Sequence, residues 1–258
     1  MPKIAITGKG GVGKTTLAAL LAQSYAAQGQ TVLAIDADPA ASLAYALGFP
    51  PELTAGITPI AEMEDLIFER TGAKPGTMGG YFRLNPRVDD IPTELSVEHR
   101  GVKLLQLGTI KQGGTGCICP ESALLRNLVT HLLVARDEVV ILDMEAGIEH
   151  LGRGTAAAVD AFLIVVEPVR RSMDTALRIH KLATDIGVSL LPGRQQGAER
   201  CGPGVHRRLR GRHAHRSFFP ADDRVSQADR QGVAVYDAVP EFVALAGAIA
   251  REIEAVPA

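Results

Sequence analysis

The sequence predicts an α/β fold with a doubly wound, mostly parallel sheet flanked by helices. Short apolar runs alternate with segments in which apolar residues recur every three or four positions, as strands and helices do in alternation. Two of these runs, Gln30 to Asp36 and Glu138 to Leu142, are apolar almost throughout, which is typical of parallel strands covered on both faces. With 258 residues, 46% of them hydrophobic, we expect a single domain spanning residues 1–258.

The chain opens with strand, loop and helix. Lys3 to Thr7 is a short β-branched run followed by glycines, and alanine and leucine recur at helical spacing from Thr15 to Gly29. Gln30 to Asp36 predicts a second strand, ending in Asp-Ala-Asp-Pro. From Phe49 to Arg100 proline, glycine and charge are scattered, so we expect an irregular insertion at about 49–100 with one helix around Pro59 to Arg70.

Strand and helix patterns resume after this insertion. We expect strands at Gly101 to Leu107, Glu138 to Leu142 and Ala161 to Val166, and helices at Glu121 to Val134, Ser172 to Ile186 and Pro240 to Ala255. Such alternation implies parallel strands joined by helical crossovers.

One segment, at about 190–217, breaks the pattern. Pro192 to Arg216 holds seven arginines, three histidines and five glycines with almost no periodic apolar positions, so a strand that is due there is missing. Three interpretations compete: a solvated loop, a basic nucleic-acid patch, or a stretch translated in a shifted reading frame. The patch lacks aromatic residues for stacking. We favour the frame shift, because the pattern ends after Val188 and recovers near Phe218; an intact frame on resequencing the gene would end that idea.

A glycine-rich loop follows the first predicted strand. Residues 8–15, Gly-Lys-Gly-Gly-Val-Gly-Lys-Thr, satisfy G-x-x-x-x-G-K-T directly before a helix, which is the setting of a phosphate-binding P-loop. Glycines let backbone N–H groups wrap closely around phosphates, and the helix N-terminus favours negative charge. We expect Lys14 to neutralise the β- and γ-phosphates and Thr15 to ligate Mg²⁺.

Three aspartates lie where predicted strands end. Asp36 and Asp38 come at the end of the second strand, and Asp143 follows another apolar run. The carboxyl ends of parallel strands are where ligands bind. We expect Asp143 to hold Mg²⁺ through water and one of the earlier pair to orient the attacking water. Helix caps or turn formers are the alternative roles for such residues.

The cysteines favour metal or redox chemistry over a disulfide framework, because there are three and no export signal is evident. Cys117 and Cys119 form C-x-C before a predicted helix. Both thiols can point the same way, because alternate side chains of an extended chain lie on the same face. A closed tetrahedral thiolate site takes four ligands, and a twofold-related subunit is the simplest source of the other two. Two ordinary small loop residues are the alternative interpretation. We assign no role to Cys201.

Composition excludes several classes. A formal net charge of −2 attracts neither nucleic acid nor an anionic membrane. Met1-Pro2-Lys3 leads directly into a predicted strand, so we expect no export signal. No apolar run reaches the roughly 18 residues of a membrane span. The final predicted helix carries Glu241, Glu252 and Glu254, which give it an acidic face. We expect a cytoplasmic protein without membrane or nucleic-acid partners.

The phosphate loop resembles the deviant Walker A motif of the MinD/ParA/nitrogenase iron protein superfamily, in which an extra lysine comes early in the loop, here Lys9. That resemblance implies an ATP-sandwich homodimer in which Lys9 reaches the partner's nucleotide, with Lys14 and Asp38 as the other catalytic residues. It implies that nucleotide and Mg²⁺ are held by Gly8, Lys9, Gly10, Gly11, Val12, Gly13, Lys14, Thr15, Thr16, Asp36 and Asp143.

Further motifs are similar to the family of carbon monoxide dehydrogenase accessory ATPases. They are residues 113–121, which contain C-x-C, residues 143–155, and Leu84-Asn85-Pro86. The resemblance implies water activation by Asp38, a switch II segment from Asp143 to Gly147, and Ni²⁺ or Zn²⁺ at Cys117 and Cys119. The chain departs from many members of the family, because it lacks an Asn-Lys base-recognition element after the strand that is expected to be missing.

Together these features predict a dimeric ATPase that assists nickel insertion into carbon monoxide dehydrogenase. Two alternatives remain open. Four thiolates at a dimer interface could equally ligate an iron–sulfur cluster in a reductase of the nitrogenase iron protein type. A positioning ATPase of the MinD/ParA type would instead bind DNA or membrane and hold no metal.

Overall fold

The computed structural model describes residues 1–76, 81–108, 119–145, 158–185, 190–195, 217–220 and 222–255, with the backbone alone for residues 182–185, 190–195 and 217–219. Outside these ranges lie Cys117, Cys201, the last two residues of the expected switch II segment and most of the arginine-rich segment.

The described strands form one eight-stranded sheet. In chain order they are β1 Lys3–Gly8, β2 Val32–Ala37, β3 Val97–His99, β4 Val102–Gln106, β5 Val139–Met144, β6 Ala161–Val166, β7 Leu190–Gln195 and β8 Ser217–Phe219. The spatial order is β3-β4-β2-β5-β1-β6-β7-β8. All neighbouring pairs are parallel except β3 and β4. The predicted α/β class is confirmed.

The helices connect these strands. They are α1 Lys14–Ala26, α2 Leu43–Ala46, α3 Pro51–Thr54, α4 Glu64–Thr71, α5 Ile91–Leu95, α6 Pro120–Val134, α7 Arg170–Asp185, α8 Asp223–Gln231, α9 Val235–Ala238 and α10 Pro240–Glu254, with a short 3₁₀ turn at Ile60–Glu62.

Two hydrophobic cores lie on opposite faces of the sheet, because successive strand residues point to opposite faces. Ile4 and Ile6 of β1 belong to the core beneath α1, α9 and α10, whereas Ala5 between them belongs to the core beneath α4, α6 and α7. β1, β5 and β6 are buried along their whole length. The sheet is therefore covered on both sides, as the apolar runs predicted.

Two parts of the chain differ from the sequence-based expectation. The insertion is more regular than expected: the helix expected at Pro59 to Arg70 is a 3₁₀ turn followed by α4, and Val97–His99 pairs antiparallel with β4. The strand expected to be missing is present, since Leu190–Gln195 pairs with β6 in parallel register. Prediction from local pattern failed there because Pro192 and Gly193 are poor strand formers, while pairing with a neighbouring strand defines the element.

The C-terminal helix belongs to the core. Phe242, Ala246 and Ile249 of α10 are buried, and its Gly247 lies close to Ser24 of α1, so that a Cβ at Gly247 would lie 3.1 Å from the Ser24 hydroxyl. Its apolar face is thus occupied by the protein itself. Among the helices of the described residues, none has the length and apolar character needed to cross a bilayer.

Candidate nucleotide-binding site

The phosphate loop connects the end of β1 to the start of α1. Gly8 lies opposite Val165 of β6, so close that a Cβ at Gly8 would lie 2.4 Å from the Val165 carbonyl oxygen. Gly11 and Gly13 have φ angles of 79° and 89°, which favour glycine. A Cβ at Gly10 or Gly11 would meet no atom within 4 Å. The first glycine of the loop therefore serves strand packing, whereas the middle ones leave open space above the helix N-terminus.

The register of the sheet brings two of the predicted carboxylates together. Asp143 lies within β5, one residue before its end rather than after it as expected, and pairs with Asp36 of β2 on one side and Ile6 of β1 on the other. Both aspartates are buried, with exposed fractions of 1% for Asp36 and 0% for Asp143. They lie at the edge where β1 leads into the phosphate loop.

Asp143 joins this edge to the phosphate loop. The Thr15 hydroxyl at the start of α1 donates a hydrogen bond of 2.6 Å to Asp143 Oδ2. Asp143 Oδ1 is buried and has no partner among the described residues. Ser42 Oγ lies 3.5 Å from Thr15 Oγ1. A hydroxyl and a carboxylate with a free acceptor are a donor set that suits Mg²⁺ and its bound water, so these residues fit the predicted metal.

Asp36 shapes the loop that carries Asp38. Its Oδ1 accepts from the Asp38 backbone N–H at 3.1 Å and its Oδ2 accepts from the Leu43 N–H at 2.9 Å. Both oxygens are thus used within the protein, and the loop is drawn back over the end of β2. Asp38 then lies beside the phosphate loop, with its carboxylate 3.8 Å from the Lys14 ammonium. Asp36 was expected to help hold the nucleotide and its Mg²⁺; in this structure both of its carboxylate oxygens accept hydrogen bonds from the loop after β2.

Burial changes the ionisation of the two buried carboxylates. Burial, with the charge of Asp36 and Asp38 adding to it, raises the pKa of Asp143 to about 7 despite the Thr15 hydrogen bond and the Lys14 charge. Burial likewise raises the pKa of Asp36 to about 6, against the lowering effect of its two backbone hydrogen bonds. A cation bound at this edge would favour the ionised form of both.

A cavity of about 550 Å³ opens above the loop. Its phosphate end is lined by Gly10, Gly11, Gly13, Lys14, Thr15, Thr16, Asp38 and Ser42, and its far end by Tyr45, Ala46, Val225, Ser226, Asp229, Gly232, Val233 and Val235. The volume suits a nucleotide-sized ligand. The phosphate end is recognisable from the sequence, whereas the far end is not, because α8 and α9 are distant from the phosphate loop in the chain and line the cavity only in the folded protein.

The remaining loop residues differ in exposure. Val12 is buried in the core with an exposed fraction of 2%, and Gly8 is buried beside it. Lys9 is half-buried, Gly10 and Gly11 are exposed, and none of the ion pairs among the described residues involves Lys9. The top of the loop thus faces solvent.

Cys119 directly precedes α6, the helix that connects β4 to β5. Because β4 and β5 both run parallel to β2, we infer that this crossover helix begins on the side of the sheet where β4 ends, which is also the side where β1 leads into the phosphate loop. The Cys119 thiol is free and partly buried, with Sγ 2.9 Å from the hydroxyl of Ser122. Within the described ranges no three His, Cys, Asp or Glu side chains of one chain group as metal ligands. Cys117, the other predicted ligand, lies outside the described residues.

The strand–loop–helix geometry, the paired carboxylates and the cavity define a P-loop nucleotide-binding protein of the α/β class. Comparison with protein families agrees: residues 3–255 match the CobQ/CobB/MinD/ParA nucleotide binding domain. The chain belongs to this family, and membership implies an ATPase.

Individual members of the family show which proteins this chain is similar to in sequence. The chain is 46% identical over 239 residues to the carbon monoxide dehydrogenase accessory protein CooC of Rhodospirillum rubrum, covering 92% of this chain and 90% of that protein. It is 52% identical over 189 residues to an uncharacterised ATP-binding protein of Methanocaldococcus jannaschii, covering 73% and 72% of the two chains. The resemblance to the accessory ATPases is confirmed.

Solved structures share the fold. The MinC:MinD cell division complex of Aquifex aeolicus aligns with a TM-score of 0.67 at 21% identity, covering 100% of this chain and 98% of that one. MinD complexed with Mg-ADP from Pyrococcus horikoshii aligns with a TM-score of 0.65 at 16% identity, covering 96% of each chain. At such identities the similarity is one of fold.

Proposed function

We propose that this chain is an ATP-hydrolysing maturation factor that acts as a homodimer and assists nickel insertion into the active site of carbon monoxide dehydrogenase. The observation that carries the proposal is 46% identity to CooC over nearly the whole of both chains. Its second support is the position inferred for Cys119, on the side of the sheet that also carries the phosphate loop. Chemistry at one could therefore change geometry at the other.

The nucleotide half of the proposal uses residues at the phosphate end of the cavity. Lys14, now 3.8 Å from Asp38, would turn to the β- and γ-phosphates, since the two groups are only loosely paired. Thr15 and Asp143 would hold Mg²⁺, which supplies charge neutralisation when bound. Asp38, freed from Lys14, would orient the attacking water.

Dimerisation supplies what one chain lacks. Lys9 lies at the solvent-facing top of the loop, where a second subunit could bring its nucleotide within reach. The thiols of Cys117 and Cys119 provide two ligands per chain, so two chains provide the four that a closed thiolate site requires. Nickel is the cargo of such a site. Closure on ATP must change the affinity for that cargo if the two events are coupled.

The test is metal analysis of the anaerobically purified protein. We expect one Ni²⁺ or Zn²⁺ per two chains, lost in Cys117→Ala and in Cys119→Ala and retained in the control Cys201→Ala. A metal content that neither of the first two substitutions changes would refute the proposed site.

The same samples separate the alternatives. Iron with broad visible absorption would replace the proposal with an iron–sulfur reductase. A metal-free protein with salt-sensitive DNA binding or lipid-stimulated hydrolysis would favour a positioning ATPase.

A further inference from the structure

A cluster of contacts far from the phosphate loop joins two walls of the nucleotide cavity. One wall is α2, which contributes Tyr45 and Ala46 to the lining; the other begins at α9, which contributes Val235. The Tyr236 hydroxyl donates a hydrogen bond of 2.7 Å to the carbonyl oxygen of Leu47, directly after α2. The two residues are 189 positions apart in the chain.

Close packing accompanies this hydrogen bond. Gly48 has a φ of 65°, and a Cβ there would lie 2.6 Å from the Ala234 Cβ, so the turn after α2 lies directly against the start of α9. Tyr236 itself has an exposed fraction of 6%. Burial raises the pKa of Tyr236, so its hydroxyl stays protonated at neutral pH and can donate. The Leu47 carbonyl depends on that donor, because water has little access to the pair.

Arg100 holds Tyr236 from the other side. Its guanidinium carbon lies 5.6 Å from the centre of the Tyr236 ring, and its Nη1 donates a hydrogen bond of 2.7 Å to Asp237. Arg100 and Gly101 form the turn between β3 and β4 and have φ angles of 49° and 77°, as a two-residue hairpin turn requires. The Phe49 and His99 rings, 5.4 Å apart, pack the same turn against the chain after α2.

These contacts act on the loop that carries Asp38. That loop is tied at one end to β2 through Asp36, and at the other end it continues into α2 through Ser42 and Leu43. α2 is four residues long, so its position depends on what holds its C-terminal end. That end is held by the hydrogen bond from Tyr236 to the Leu47 carbonyl, together with the packing of Gly48 on Ala234 and the burial of Leu47 in the core.

We propose that Tyr236 is a positioning residue for nucleotide binding, whose hydroxyl holds α2 against α9 so that both cavity walls and the Asp38 loop keep the spacing the nucleotide needs, with Arg100 holding the tyrosine ring. The inference rests on the ATP-binding part of the proposed function and not on the metal site. Loosening the contact lowers the fraction of molecules with a competent cavity, and apparent affinity falls by that fraction.

The test uses two matched hydroxyl deletions in the full-length protein. Tyr236→Phe removes the hydrogen bond to Leu47. Thr71→Val removes a buried hydroxyl in the insertion that donates to the Ile67 carbonyl at 2.6 Å, away from the cavity lining. The chain has no tryptophan, so binding is followed with N-methylanthraniloyl-ADP as a fluorescent probe.

We expect Tyr236→Phe to raise the dissociation constant of the probe about threefold to tenfold, as the loss of one buried hydrogen bond predicts. Each substitution removes one buried hydroxyl, so Tyr236→Phe and Thr71→Val should lower the melting temperature by similar amounts. Thr71→Val should leave the dissociation constant of the probe unchanged. Equal melting losses with unchanged probe affinity in both variants would overturn the inference, because the hydroxyl would then serve stability alone.

If Tyr236→Phe does not fold, a second pair of substitutions, at two arginines on the surface, tests the same inference. Arg100→Gln removes the ring contact and the Asp237 ion pair from a half-exposed residue, whereas Arg87→Gln removes an exposed ion pair with Asp89 in the insertion. The first should weaken probe binding and the second should not; equal affinities would overturn the inference. The two proposals can fail separately. If the metal content does not depend on Cys117 or Cys119 but probe affinity falls in Tyr236→Phe or Arg100→Gln as expected, nickel delivery is refuted and the role of Tyr236 is supported.

Discussion

Two alanine substitutions in the phosphate loop separate a glycine needed for packing from a glycine needed for a ligand. In Gly8→Ala the new Cβ would lie 2.4 Å from the Val165 carbonyl oxygen, roughly 1 Å inside ordinary contact, at a φ of 152°. Neither the backbone of β1 nor that of β6 can move away without disturbing the sheet. In Gly10→Ala the Cβ would meet no atom within 4 Å.

The magnitudes follow from these distances. Overpacking costs about 1–3 kcal/mol and an unfavourable backbone conformation about 1–2 kcal/mol, so Gly8→Ala should lose about 2–5 kcal/mol of unfolding free energy. For a chain of this size that is a fall in Tm of roughly 4–20 °C. Gly10→Ala should melt within about 2 °C of the native protein, because its Cβ points into open space.

The substitution that leaves stability almost unchanged, Gly10→Ala, should be the one that weakens nucleotide binding directly. Gly10 lines the cavity, and a methyl group there would occupy the space through which phosphates approach the backbone. We therefore expect Gly10→Ala to lose ADP binding by about tenfold or more while remaining fully folded. The assays are thermal melting and titration with the fluorescent ADP probe. If Gly8→Ala melts no earlier than Gly10→Ala, the packing argument is wrong; if Gly10→Ala binds ADP like the native protein, the loop does not hold phosphates.

Two further predictions concern the charged groups of the site. Because burial raises the pKa of Asp143 to about 7 and that of Asp36 to about 6, the folded nucleotide-free protein binds protons more tightly than the unfolded chain, so its stability should fall as pH rises from about 4 to 7. Asp143→Asn should reduce that fall by about 2–4 kcal/mol in urea unfolding, at 1.36 kcal/mol for each pKa unit, and an unchanged pH slope would contradict the assignment. Lys14→Ala should abolish ATP hydrolysis without removing metal, whereas Asp38→Asn should keep ADP binding and lose turnover; comparable turnover in Asp38→Asn and the native protein would exclude Asp38 from water activation.

Much of the site could be predicted because its signals are local. The loop from Gly8 to Thr15 is contiguous, and its glycines, lysine and threonine are recognisable without the fold. Asp36 and Asp143 were identified from their places in apolar runs, since parallel strands end at one edge of a sheet. The different roles of the two aspartates could not be predicted. Both carboxylate oxygens of Asp36 accept hydrogen bonds from backbone N–H groups, and these contacts depend on the path of the loop after β2.

The sequence by itself determined the strand–loop–helix start, the two-sided parallel sheet and the phosphate end of the cavity, because periodicity and motif spacing are carried by neighbouring residues. Only the tertiary structure decided that Pro192 and Gly193 lie in a paired strand, that α8 and α9 form the far wall, and that Tyr236 reaches Leu47. Those features depend on contacts between residues far apart in the chain, which no local pattern records.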